Sequence, residues 1–264
     1  MICQDIIQVL EKLSPKPYAL GFDNVGLLVG DSHKEIKKIF VALDADEKTV
    51  DEAVAAGVDM LVTHHPMIFN AIKSVNEENG LGRKILKLAG NHICLYAMHT
   101  NFDVMGSMSD LAAKRLGLAK ASVLESTADD GEGIGRIGEI SAVKTLEDLA
   151  DLVCKKFKLD EVIVYGDLKA RVERIGIIPG SGKSMMDAAV EQGVDALVTG
   201  DFGHHEGLDA IEAGINVIDA SHAGIERIFI PFMGEYLKEQ LPEKIEIIEK
   251  DLQETVPGKF YHSK

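Results

Sequence analysis

The sequence predicts an α/β fold of two similar halves, each a mixed or parallel sheet flanked by helices, with a metal site between them. Three observations carry this expectation. Short apolar runs alternate with helical stretches along the chain, the pattern of a sheet covered by helices. Gly57-Val58-Asp59-Met60-Leu61-Val62-Thr63 returns as Gly193-Val194-Asp195-Ala196-Leu197-Val198-Thr199 at an offset of 136 residues, and the segments before the two copies, Val50–Val54 and Met186–Val190, match in kind. The first copy then ends abruptly in His64-His65-Pro66, two imidazoles at the carboxyl end of a buried strand, where α/β sheets place their sites. The halves are expected at residues 1–120 and 121–264, with the boundary in 119–132, where Ser126-Thr127-Ala128-Asp129-Asp130-Gly131 is polar and turn-rich.

The elements come in this order. Ile2, Ile6, Ile7, Leu10 and Leu13 recur at helical spacing, and Pro15 and Pro17 end that helix. Asp23-Asn24 and Gly26 make a tight turn into a short strand; the turn either lines a site or is only a turn. Ile39–Leu43 is a strand, Glu47–Ala56 a helix, Gly82–Ala89 a helix, and Ile93–Ala97 a strand that runs into His99. Ser107–Leu116 reads as a helix capped by Ser107 or Ser109. Gly133–Glu139 opens a strand whose glycines suit a twisted, bulged path, with Arg136 as an alternative anion contact. Leu146–Phe157 is an amphipathic helix and Val162–Tyr165 a strand. Gly182-Lys183-Ser184 imitates the end of a Walker A loop, but that pattern needs glycine at 177, where Ile177 stands; a glycine-rich turn before a helix remains, and its N–H groups could hold an anion. Ile215–Asp219 is a strand, His222 opens one helix running to Leu237 that Pro242 ends, and Ile245–Ile248 is the last strand.

Composition narrows the function. A net charge of −15 argues against nucleic-acid binding, which needs a basic surface, but not against a nucleotide, because bound metal ions supply local positive charge. Cys3, Cys94 and Cys154 form no CxxC pair and no disulfide framework. The first residues lack the basic and apolar regions of a signal peptide, and no apolar run reaches membrane-spanning length, so a cytoplasmic protein without membrane contact is expected.

His64 and His65 point to opposite faces while in strand geometry, but the bend at Pro66 can bring both toward one centre or toward two neighbouring metals. The competing reading is a pair of loop histidines on backbone carbonyls. Each half then supplies His-x-x-x-acid after a later strand: His99 with Asp103, and His222 with Glu226, a spacing that puts both side chains on one helix face. In the second half Gly200-Asp201 occupies the place of His64-His65, which suits one shared asymmetric site. His204 and His205 start the next helix, and one of them could assist. Six ligand-type residues exceed what one catalytic zinc takes. Mixed imidazole and carboxylate donors suit two divalent ions such as Zn, Fe, Mn or Ni, with Glu226 as the bridging carboxylate. Paired ions activate water, so the expected chemistry is hydrolytic.

Asp23-Asn24-Val25-Gly26-Leu27, His64-His65-Pro66, His99-Thr100-Asn101-Phe102-Asp103, Gly200-Asp201 with His205, and His222 with Glu226 together resemble the GTP cyclohydrolase 1 type 2 homologue family, also called NIF-three-like. The resemblance covers nearly the whole chain. It implies two similar α/β halves, a dinuclear centre with ligands His64, His65, Asp103, His222 and Glu226, His99 as a supporting residue, and a toroidal homohexamer. Phe22 stands where the family often has tryptophan, and Ala223 and Ile225 depart from its pattern after the last histidine. The expected function is a metal-dependent hydrolase, of cyclohydrolase or phosphoesterase type, acting on a nucleotide or related small heterocycle with His99 or His205 moving protons. The alternative is a metal-containing binding or adaptor protein without turnover.

Overall fold

A computed structural model of the chain describes residues 1–105 and 108–250. In chain order its elements are α1 (Cys3–Leu13), β1 (Gly26–Val29), β2 (Lys38–Ala42), α2 (Glu47–Ala55), β3 (Met60–Thr63), α3 (Gly80–Gly90), β4 (Cys94–Ala97), α4 (Thr100–Val104), α5 (Met108–Leu116), β5 (Ala119–Ser126), β6 (Gly133–Glu139), α6 (Leu146–Phe157), β7 (Ile163–Tyr165), β8 (Arg174–Ser181), α7 (Met186–Glu191), β9 (Ala196–Gly200), α8 (His204–Glu212), β10 (Asn216–Asp219), α9 (His222–Glu226), α10 (Phe229–Gln240) and β11 (Glu246–Glu249). They form two sheets flanked by helices, the expected mixed α/β fold.

By compactness the chain divides into two interleaved units. One is Met1–Asp5, Leu27–Ala97 and Phe229–Lys264; the other is Ile6–Gly26 and Met98–Ile228. The first unit holds a sheet in the order β1-β4-β3-β2-β11. Its strands β4, β3, β2 and β11 pair in parallel, and α10 packs against β2 and β11. Every residue of β3 and β4 is buried, as a central parallel strand covered on both faces requires. Phe40, Leu61, Leu88 and Leu95 lie at the centre of its core.

The second unit holds a sheet in the order β5-β6-β8-β9-β10-β7. Here β8, β9 and β10 run in parallel, while β5, β6 and β7 pair antiparallel. Helix α6 starts with a capping box, Thr145 and Asp148 each accepting from the other's backbone. Leu124, Ile137, Leu197 and Val217 are in its core.

The repeat read from sequence is also a repeat of backbone bonds. Ile39 pairs with Met60 and Ile175 with Ala196, at the same offset in both sheets. Asp59 Oδ2 accepts from Lys37 N at 2.8 Å and Lys38 N at 3.1 Å; Asp195 Oδ2 accepts from Glu173 N at 2.9 Å and Arg174 N at 2.8 Å. Gly57 and Gly193 both leave the preceding helix with positive φ, 61° and 67°.

Residues 119–126 form β5, paired antiparallel with β6 through a register shift. Three expectations need correcting. Ser107 lies outside the described residues, and Ser109 is inside α5, where its hydroxyl accepts from Gly135 N at 3.0 Å instead of capping the helix. Arg136 does not reach for an outside anion: only 5% exposed, it forms a two-pronged pair with Asp110 and donates to the carbonyls of Gly133 and Gly135. The helix from His222 does not run unbroken to Leu237. It stops as α9 at Glu226 and restarts as α10 at Phe229, because Pro231 has no N–H to bond back to residue 227 and is tolerated only in a first turn. Cys3 and Cys94, far apart in sequence, are buried neighbours: the Cys3 thiol donates to Cys94, which raises its own pKa and lowers that of Cys94. Among the described residues no helix is long and apolar enough to cross a membrane.

Candidate metal centre

In the first unit β3 delivers His64 and His65. Thr63 Oγ1 donates to His65 O at 2.9 Å and turns the chain sharply after the strand. His64 is fully buried, its ring 5.4 Å from that of Phe229 and 4.9 Å from that of His65. His65 is more open and its Nδ1 is 2.9 Å from Asp44 Oδ1. Asp44 comes after β2, the parallel neighbour of β3, so both side chains leave the same sheet edge. Lys84 Nζ donates to Ala45 O at 2.8 Å and ties that loop to α3. Burial lowers the pKa of Lys84, against the opposing pull of Asp46, Asp44 and Glu47.

The second unit carries the other candidates. His99 is the N-cap residue of α4, and Asp103 is on that helix. The His99 ring does not turn along α4; its Nδ1 meets Asp23 Oδ1 at 2.9 Å. The Asp23 carboxylate, 0% exposed, also accepts from Thr100 N at 3.0 Å and Thr100 Oγ1 at 2.5 Å. Burial alone would raise its pKa, but the hydrogen bonds from His99 and Thr100 and the imidazole's charge outweigh this and hold it at about 2.

His222 and Glu226 sit on α9, whose N-cap Ser221 accepts from Gly224 N at 3.0 Å. His222 Nε2 is 3.0 Å from Glu226 Oε2, so one ion can be gripped by this i,i+4 pair. On its other side, His222 Nδ1 is 2.7 Å from Asp201 Oδ2. Glu226 is 2% exposed, and an ionised carboxylate that deep needs a cation or hydrogen bonds to repay its desolvation. Gly180, at φ +70°, passes over this pair: a Cβ there would collide with Glu226 Oε1 and come within 3.5 Å of His222 Nε2. A buried carboxylate beside an imidazole nitrogen is the donor chemistry a divalent ion takes. His205 is exposed in the first turn of α8, its ring 5.3 Å from His204.

Imidazole and carboxylate groups able to hold a metal ion are thus present, among them His64, His65, Asp103, His222 and Glu226. Sequence reading missed Asp44, and it did not give Asp23 or Asp201 a partner. The available signal was spacing: Asp44 precedes His65, and Asp201 precedes His222, by the same 21 residues, one strand-to-strand step in each sheet.

The glycine-rich turn at Gly180–Ser184 is not a phosphate loop. Gly182 N points inward and donates to Thr199 Oγ1 at 2.9 Å, and Lys183 begins an exposed 3-10 turn.

The chain is similar to known proteins over nearly its whole length. A Clostridium perfringens protein named GTP cyclohydrolase 1 type 2 homolog is 36% identical over 250 residues, covering 94% of this chain and 95% of its own length. The Lactococcus lactis protein of the same name is 37% identical over 90% of this chain and 92% of its own. Among solved structures, Staphylococcus aureus SA1388 superposes with a TM-score of 0.87 at 30% identity over 99% of both chains, and reduced HcgD from Methanocaldococcus jannaschii with 0.81 at 31% identity over 94% and 97%. Residues 1–255 match the family described as Duf34/NIF3 (NGG1p interacting factor 3), and the chain belongs to it.

Proposed function

We propose that the protein is a dinuclear metal-dependent hydrolase acting on a nucleotide or related small heterocycle, with His64, His65, Asp103, His222 and Glu226 as the ligands. The observation that carries this reading is the His222–Glu226 pair, 3.0 Å apart, with Glu226 buried and the Gly180 backbone packed closely against it. The relatives' shared name supports the cyclohydrolase direction. Two divalent ions, when bound, supply Lewis-acid activation of water and of the bond it attacks.

The chain's own residues do the rest. Glu226 supplies negative charge that offsets the repulsion of paired cations. His99 carries a proton through Nε2, because Asp23 holds its Nδ1. His205 is the second candidate for proton transfer, from the first turn of α8. Opening a purine ring needs water added at the imidazole carbon and a proton delivered to the departing nitrogen; a phosphoester needs the same proton for its leaving oxygen.

The proposal extends to organisation: residues 1–120 and 121–264 are the duplicated halves, and the chain assembles as a homohexamer in the cytoplasm. Light scattering of the purified protein tests the assembly.

The test of function is an activity screen of metal-reconstituted protein over nucleotides, phosphoesters and cyclic amides. Turnover that is lost in a folded His64→Ala variant supports the hydrolase. Tight ligand binding with no turnover on any class would replace it with a metal-containing binding protein.

A further inference from the structure

We propose that Asp44 and Asp201 are positioning residues that hold the His65 and His222 rings by Nδ1, so that Nε2 is the nitrogen each offers to a metal. The inference rests on the metal reading above but concerns residues outside the ligand set.

The geometry is the same in both units. His65 Nδ1 lies 2.9 Å from Asp44 Oδ1, and His222 Nδ1 lies 2.7 Å from Asp201 Oδ2. A carboxylate only accepts, so in each pair Nδ1 must carry a proton, which leaves Nε2 as the nitrogen that a metal can take. In His222 Nε2 also faces a carboxylate, Glu226 Oε2 at 3.0 Å, so without an ion that nitrogen donates a proton as well, and a metal would take the proton's place between the two. Each carboxylate comes just after a strand parallel and adjacent to the one that precedes its histidine, β2 beside β3 and β9 beside β10.

Both carboxylates are themselves held, although their side chains are about half exposed, 49% for Asp44 and 54% for Asp201. The residue after each is pinned. Ala45 O accepts from Lys84 Nζ at 2.8 Å, and Phe202 N donates to Asp219 Oδ2 at 2.9 Å. Asp201 adopts φ +58°, a left-handed conformation that Asp tolerates better than most residues. Asp219 Oδ1 also accepts from Ser221 N at 2.8 Å, so one buried carboxylate fixes the loop of the positioning residue and the start of its histidine's helix.

The repeat gives this pairing its meaning. Asp201 occupies the place of His65, and Gly200 that of His64. One position at the end of a repeated strand is thus proposed as a ligand in one unit and as the support of a ligand in the other.

The experiment reads tautomers directly, by long-range 15N–1H spectra of histidine side chains in the metal-free full chain at about pH 8, above the usual imidazole range. Wild type should show His65 and His222 protonated at Nδ1. Asp44→Ala should shift His65 alone toward the Nε2-protonated form, and Asp201→Ala should shift His222 alone. The Asn variants, which keep an acceptor, should retain the wild-type tautomer. Zinc titration should then show roughly 10- to 100-fold weaker binding in each Ala variant and a smaller loss in each Asn variant. Rings without a proton on Nδ1 in wild type, or Ala variants with unchanged tautomer and zinc affinity, would overturn the inference. A wild type that takes no zinc would overturn the metal reading instead, and the tautomer spectra would still decide this one.

Discussion

The same strand ends in two different ways. In the first unit β3 runs into two histidines; in the second, β9 runs into Gly200 and Asp201. Up to that point the two units agree to the level of single hydrogen bonds: they share the Asp59 and Asp195 brackets, the register with the neighbouring strand and the left-handed glycine. Beyond it they diverge. A Cβ at Gly200 would lie 2.5 Å from His222 N and 2.6 Å from Ser221 C, so the start of α9 occupies the space a side chain would need there. His64 has a full side chain there and packs its ring near Phe229, the first residue of α10. The scaffold is kept and the edge is free to change, but only as the backbone behind it allows.

The sharpest way to break this comparison is to remove the charge at the second unit's edge. Glu226→Gln keeps the size and loses the anion, so metal content should fall from about two ions per chain toward none. Asp103→Asn, if Asp103 serves a single ion, should leave one site measurably filled. The measurement is elemental analysis beside circular dichroism of both variants. Normal metal content in Glu226→Gln would take it out of the centre altogether, and equal partial losses in the two variants would remove its role as the bridge.

A second test asks whether the shared brackets are energetically alike. Asp59→Ala and Asp195→Ala each remove a carboxylate that accepts two backbone N–H groups, a loss of roughly 2–3 kcal/mol in urea denaturation. Asp59 also pairs with Lys34 at 3.0 Å, a partly exposed contact that adds at most about 1 kcal/mol. Asp59→Ala should therefore cost slightly more. A large gap in either direction would show that the two units do not lean on the bracket equally.

The repeated histidines differ as well. His222 is held by a carboxylate from the adjacent strand end, His99 by Asp23 from the turn before β1. Because the Asp23 pKa is depressed in the folded protein to about 2 from an ordinary 3.8, its ionised form stabilises the fold. That contribution, roughly 2 kcal/mol, is complete above about pH 4 and disappears as pH falls through the folded value. Asp23→Asn should be less stable than wild type by that amount at neutral pH, with the gap closing toward pH 2. A gap that does not change between neutral and acid pH would mean that the pair is not ionised.

The parallel strands, the repeat and the ligand-type residues were legible because each is written as a local pattern: an apolar run, a recurring heptapeptide, a histidine at a strand end. The supports were not, because they are made by strand adjacency. Nothing near residue 44 says that β2 lies beside β3, and nothing near Asp23 says that it will meet His99. β5 was hidden for a different reason. Its residues are mostly exposed, AKASVLES, and an edge strand with little to bury has no strong apolar alternation to read. The break between α9 and α10 was written in Pro231 but outweighed by the helical spacing of its apolar neighbours.

The smallest expected effect concerns Lys183, where sequence and structure invite opposite tests. Gly182-Lys183-Ser184 looks like a phosphate-binding end, and a lysine that grips phosphates is worth orders of magnitude in nucleotide affinity. Around it, however, the amide of Gly182 is spent on Thr199 Oγ1, and the same hydroxyl lies 3.2 Å from Gly180 O, so the loop is braced against β9 from within. A phosphate cradle needs successive N–H groups pointing outward together. Lys183 itself is exposed on a single 3-10 turn, and a lone surface ammonium offers little beyond a screened charge. Lys183→Ala should therefore leave any nucleotide affinity within a few-fold of wild type. Thr199→Val, which removes the brace, should destabilise the protein by about 1–3 kcal/mol, since it leaves buried polar groups without their partner. Isothermal titration and urea denaturation of the two variants separate the readings, and a loss of several orders of magnitude in Lys183→Ala would restore the phosphate loop.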